Sequence, residues 1–262
     1  MTDEEKQKYL DAIKEFCLMD DTFMSKVFED KGCAELLLRI ILDNNDLTVT
    51  KVHVQHEIKN LQGRSIRLDI YAVDTNGKEY NVEVQRTDSG AIPQRARYNS
   101  SLMDANIISV GDNLKNLPET HVVFITEQDT LGENELIYRI ERTVNGKRPF
   151  HDGSHIIYVN GACREGRSPL ALLMQDFFCK DPKKMNFSKL AERANFFKTN
   201  HEGVSNMCKI MEDLIAKGEA KGEAKGKLDT LKSLVKEGFI SISVAAQKAG
   251  MTEEAFKKIA CL

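Results

Sequence analysis

RLDIYAVDTNGKEYNVEVQ, residues 67–85, is the stretch whose reading decides the fold. It holds two runs of alternating apolar and polar residues around Asn76-Gly77, a hairpin signal. In the first run Ile66, Leu68, Ile70 and Ala72 share one face, leaving Arg67, Asp69 and Tyr71 on the other. In the second, Tyr80, Val82 and Val84 oppose Asn81, Glu83 and Gln85. A two-residue Asn-Gly turn would set Ile70 across from Glu83 and mix the faces. A three-residue loop, Thr75-Asn76-Gly77 with Gly77 left-handed, instead pairs Ile70 with Val82 and Asp69 with Glu83. Two carboxylates then lie about 5 Å apart at Cβ.

Like charges so placed are unfavourable unless they share a proton or hold a cation between them. A divalent metal is the better reading. The backbone carbonyl of Val84 is a further oxygen donor, as a hard cation requires, and Gln85 on the same face can orient a water or a phosphate oxygen. An exposed hairpin would instead leave these residues in solvent, but the neighbouring apolar strands argue for a central position.

Working outward, Val49–Ile58 reads as a strand before this hairpin, and Ala34–Leu42 as a buried helix ended by Asn44-Asn45. Tyr9–Phe28 has less regular helical spacing and reads as an irregular lead-in. After the hairpin, Ile92–Ile107 returns to a helical pattern. His121–Thr126 and Ile156–Asn160 are apolar runs of strand length, as expected of strands covered on both faces. His151 and His155 flank Asp152-Gly153 and read as loop residues rather than a second metal site.

Beyond about residue 170 the pattern is helical. Ala216–Lys227 contains the repeat KGEAKGEAKG, a weak solvated helix or a linker. Ile240–Ile259 reads helix, turn, helix. Without a third helix to pack against, it suits an oligomerisation or docking element more than a DNA-reading one. The expected division is residues 1–170 as the α/β domain, 171–215 as a helical extension and 216–262 as linker and appendage.

A chain of 262 residues, 41% hydrophobic, can bury a sizeable core. It has no apolar run long enough to span a membrane and no signal-peptide pattern, so a cytoplasmic protein is expected. Six scattered cysteines, Cys17, Cys33, Cys163, Cys179, Cys208 and Cys261, lack zinc-site or disulfide spacing. The net charge of −3 leaves a local basic patch possible.

Asp69 in RLDI, the short turn and Glu83-Val84-Gln85 in NVEVQ resemble the PD-(D/E)XK nuclease superfamily. Within it they resemble the transposase-related, recombination-promoting branch, where E-x-Q replaces E-x-K. The similarity continues through the helix with Gln94, Arg95, Arg97 and Tyr98 and through HVVFIT, roughly residues 20 to 165. It implies an α/β, restriction-endonuclease-like core with a mixed central sheet flanked by helices, and a DNA endonuclease using Mg²⁺, with Mn²⁺ as substitute. Asp69 and Glu83, with the Val84 carbonyl, would hold the ion, and Gln85 would place the attacking water. Glu35 is expected as another acidic ligand or, alternatively, as an i,i+4 partner of Arg39. Arg64, Arg67, Arg95 and Arg97 are expected to bind DNA phosphates. Gln85 departs from the usual lysine and lacks its charge. A catalytically silent nucleic-acid-binding member is therefore the alternative, and Gln85→Lys is expected to preserve or raise cleavage.

Overall fold

The computed structural model describes residues 3–60, 63–87 and 90–260. Cys261 lies outside them, and Cys17, Cys33, Cys163 and Cys179 are free thiols. The lead-in is more regular than its spacing suggests, forming two helices, α1 (Asp3–Glu15) and α2 (Asp21–Phe28). The next helix, α3 (Lys31–Leu42), starts at Asp30, whose side chain accepts a hydrogen bond from the Cys33 N–H. It buries Ala34, Leu37, Leu38 and Ile41.

Six strands form one mixed sheet: β1 (Val49–Ile58), β2 (Ile66–Asp74), β3 (Glu79–Gln85), β4 (Thr120–Thr126), β5 (Ile137–Ile140) and β8 (Ser154–Asn160). Their order is β1-β2-β3-β4-β8-β5, and a small separate hairpin joins β6 (Thr143–Val144) to β7 (Arg148–Pro149). The β3–β4 and β4–β8 pairs are parallel; the other neighbours are antiparallel. Helices flank the sheet, giving the α/β class expected. Val122 to Ile125 at its centre are wholly buried, which explains why β4 lacks alternation. The sequence reading missed β5 because it is four residues long, with only Tyr138 buried.

The β2–β3 register is the one that keeps the hairpin faces uniform. Ile70 pairs with Val82, Ala72 with Tyr80 and Val73 with Glu79. Gly77 takes a φ of 77°, where a side chain would be strained. Asp74 fixes the turn by accepting hydrogen bonds from the Asn76 and Lys78 N–H groups and, at its other oxygen, from the Tyr80 hydroxyl.

The helix α4 (Pro93–Ile107) crosses between β3 and β4, with Pro93 in its first turn. Later come α5 (Pro169–Phe178), α6 (Ser188–Thr199), α7 (His201–Lys236), α8 (Ile242–Ala249) and α9 (Glu253–Ala260). The chain divides into two compact units, Met1–Met207 and Cys208–Leu262. The KGEAKGEAKG repeat lies inside α7, so the helical form of that segment is the one adopted. Within the second unit Leu228, Leu231 and Val235 of α7 pack with Ala245, Ala246, Phe256 and Ala260. The third helix that Ile240–Ile259 lacked in sequence is thus the end of α7. No described helix is long and apolar enough to cross a membrane.

His155 corrects the loop reading. It lies in β8 beside His121 of β4, because those two strands pair in parallel register.

Candidate active site

β3 carries the core of the site to its C-terminal end. Glu83 is fully buried and Asp69 nearly so, which removes the reading of an exposed hairpin. Asp69 Oδ2 accepts a 3.0 Å hydrogen bond from the Val84 N–H, tying the carboxylate of β2 to the backbone of β3. Burial raises the pKa of both acids, and their mutual charge raises that of Glu83 further. Two buried carboxylates side by side, with no thiol or imidazole in the lining of the cleft beside them, suit a hard divalent cation.

Arg95 of α4 is the positive group present. Its Nη2 lies 2.6 Å from Glu83 Oε2, and its Nη1 donates to Gln85 Oε1 at 3.3 Å and to the Gly90 carbonyl at 2.9 Å. Asn99, one turn further along α4, donates to Glu83 Oε1 at 3.3 Å. The i,i+4 spacing of Arg95 and Asn99 aims both at the same carboxylate. Gly90 is close-packed on Gln85, whose side-chain oxygen stands where a Cβ would be. The guanidinium also lies over the Phe124 ring, 5.9 Å from its centroid.

Asp69, Val84 and Gln85 line an open cleft of about 1020 Å³, and so do Arg64, Arg67, Arg95 and Arg97. All four arginines expected at DNA phosphates therefore border one cleft. Of the four, Arg95 is the one ion-paired with Glu83. Tyr98 joins the cleft walls, donating its hydroxyl to the Arg64 carbonyl while accepting from Asn60.

Glu35 does not join the acidic pair. Its carboxylate binds Arg39 at 2.9 Å and accepts the Val49 N–H at 3.0 Å, so it pins α3 to the start of β1. It borders a different, smaller pocket with Gly32 and Lys189. The i,i+4 alternative describes it, and the metal-ligand expectation falls.

Asp21, at the start of α2, borders the cleft instead, and its charge raises the pKa of Asp69. It accepts a 2.7 Å hydrogen bond from Gln55. Gln55 has a φ of 53° in the middle of β1, between the pairs Val54–Ile70 and His56–Leu68, and so beside Asp69. Such a conformation in a non-glycine residue is strained, roughly 1 kcal/mol or more, and tends to gather at functional sites. Neither Asp21 nor Asn99 had a local signal in the sequence, since tertiary packing alone brings them here.

A family model described as PD-(D/E)XK nuclease family transposase matches residues 26–161, just over half of the chain. The match takes in β1 to β8 and α4 but leaves Asp21 outside. No curated protein and no solved structure matches the chain.

Proposed function

Because the chain belongs to the PD-(D/E)XK nuclease family transposases, we propose that it is a metal-dependent DNA endonuclease whose site is Asp69, Glu83 and Gln85. The observation that carries this reading is the buried Asp69–Glu83 pair at the wall of a cleft that Asp69 lines together with four arginines. Asp69 and Glu83 would hold Mg²⁺ or Mn²⁺, assisted by the Val84 carbonyl, and the bound ion would polarise the phosphodiester and acidify a water. The chain's own groups do the positioning. Arg64, Arg67 and Arg97 take the flanking phosphates, and the Gln85 amide orients the attacking water. Arg95 supplies, from a helix, the positive charge that a lysine at position 85 would otherwise bring.

The reading makes the DNA backbone the substrate, in a transposition- or recombination-related role. The silent-member reading is favoured by one feature, the neutral Gln85. Supercoiled plasmid incubated with the full chain separates the two. Nicking or linearisation that needs Mg²⁺ or Mn²⁺ and stops with EDTA is expected of the enzyme. DNA retained without any strand cut would establish the silent member.

A further inference from the structure

We propose that Glu119, His121 and His155 form a second metal site that takes a borderline transition-metal ion such as Zn²⁺. The site is built by sheet register. Parallel pairing of β4 with β8 places His121 directly beside His155, and their rings stack with centroids 4.4 Å apart. Glu119, two residues before His121, brings its Oε2 to 3.9 Å from His121 Nε2 and 4.0 Å from His155 Nε2. One ligand atom from each residue lies within 4.8 Å of the others. Tetrahedral bonds of about 2.0–2.1 Å need donor atoms roughly 3.3 Å apart. The half-exposed side chains of Glu119 and His155 can close that gap by rotation.

His121 is the most buried member of the set. Its side chain is only 12% exposed, and its Nδ1 is buried with no hydrogen-bond partner among the described residues. Its Nε2 meets Glu119 only beyond hydrogen-bond distance. An ion held together with Glu119 and His155 would sit at Nε2, the nitrogen that faces Glu119, and would leave Nδ1 as it is. Tyr80 stacks on the other side of the His121 ring with centroids 5.0 Å apart and holds it in place.

The site differs from the acidic one in place and in metal class. His121 shares a sheet face with Tyr80, whereas Glu83 pairs with Phe124 on the opposite face, three residues or about 10 Å along the strand. Two imidazoles and one carboxylate favour Zn²⁺ over Mg²⁺, the reverse of the all-oxygen pair. Lys78 occupies the position of a competitor, its ammonium 2.6 Å from the same Glu119 oxygen. Metal binding has to displace that contact.

The test is a Zn²⁺ titration of the full chain carrying Asp69→Asn, in excess Mg²⁺, followed by a competing chelating dye. One Zn²⁺ per chain is expected to bind. His155→Ala and Glu119→Gln, both at exposed side chains, should each weaken it at least roughly tenfold. Lys78→Met should tighten it, an effect that a purely structural ion pair does not produce. No stoichiometric Zn²⁺ binding, or binding left unchanged by His155→Ala, overturns the proposal.

Discussion

Asp69→Asn is expected to abolish cleavage and at the same time to stabilise the metal-free protein at neutral pH. The exchange is nearly isosteric, and an amide oxygen can still accept the Val84 N–H that Asp69 holds at 3.0 Å. What disappears is one charge from a buried pair and with it a metal ligand. A loss of about 10²–10³-fold in rate is the scale for removing one charge-stabilising group from such a site. The stability gain comes from burial and then the nearby charge of Asp21, which lift the Asp69 pKa in the fold, and from relieving Glu83 of the Asp69 charge. An acid with a raised folded pKa weakens the fold above that pKa. The difference between variant and parent should shrink as pH falls through the raised value and vanish below the ordinary 3.8. At pH 7 in EDTA the gain should be about 1 kcal/mol, or roughly 2–4 °C in Tm for a unit of this size. Thermal melts beside plasmid assays check both halves. Unchanged cleavage, or a variant less stable than its parent in EDTA, would contradict the assignment.

Gln85→Lys is expected to lower cleavage, contrary to what the motif alone suggests. In sequence, a lysine at position 85 looks like a restoration of the usual charge. In the fold, Arg95 already fills that role, with its Nη1 3.3 Å from Gln85 Oε1 and its Nη2 2.6 Å from Glu83. An ammonium at position 85 would face the guanidinium and push it off the carboxylate. Arg95→Gln should cost about 10²-fold in rate by removing the charge. The double variant, Gln85→Lys with Arg95→Gln, should recover much of the loss because one cation again faces Glu83. The strongly non-additive cycle is the signature sought. Additive losses would mean that Arg95 and Gln85 act separately, and the charge-relocation account would fail.

These two results divide along the line between what sequence carries and what packing adds. The hairpin register was legible because only one loop length keeps Ile70 opposite Val82 and the acids together, an argument that needs nothing beyond side-chain alternation. The strands β4 and β8 were legible for a different reason, an unbroken apolar run of strand length that marks a strand covered on both faces. Arg95 was visible as a basic residue near the site, but not its partner. Choosing Glu83 over a phosphate depends on how α4 crosses β3, which periodicity does not specify. Asp21 and Gln55 were hidden more deeply, since a strained backbone in β1 and the first residue of α2 meet Asp69 only in three dimensions. Glu35 illustrates the opposite error, where position on an early helix suggested a ligand but its neighbours Arg39 and Val49 take both oxygens. His155 was misplaced because Asp152-Gly153 signals a turn, and that turn ends one residue before the strand that holds it.

The most direct test is a crystal soaked in Mn²⁺, with the ion located by its anomalous scattering. The account predicts a peak about 2.1 Å from carboxylate oxygens of both Asp69 and Glu83, with Arg95 still beside Gln85. A peak elsewhere, or none, would contradict it.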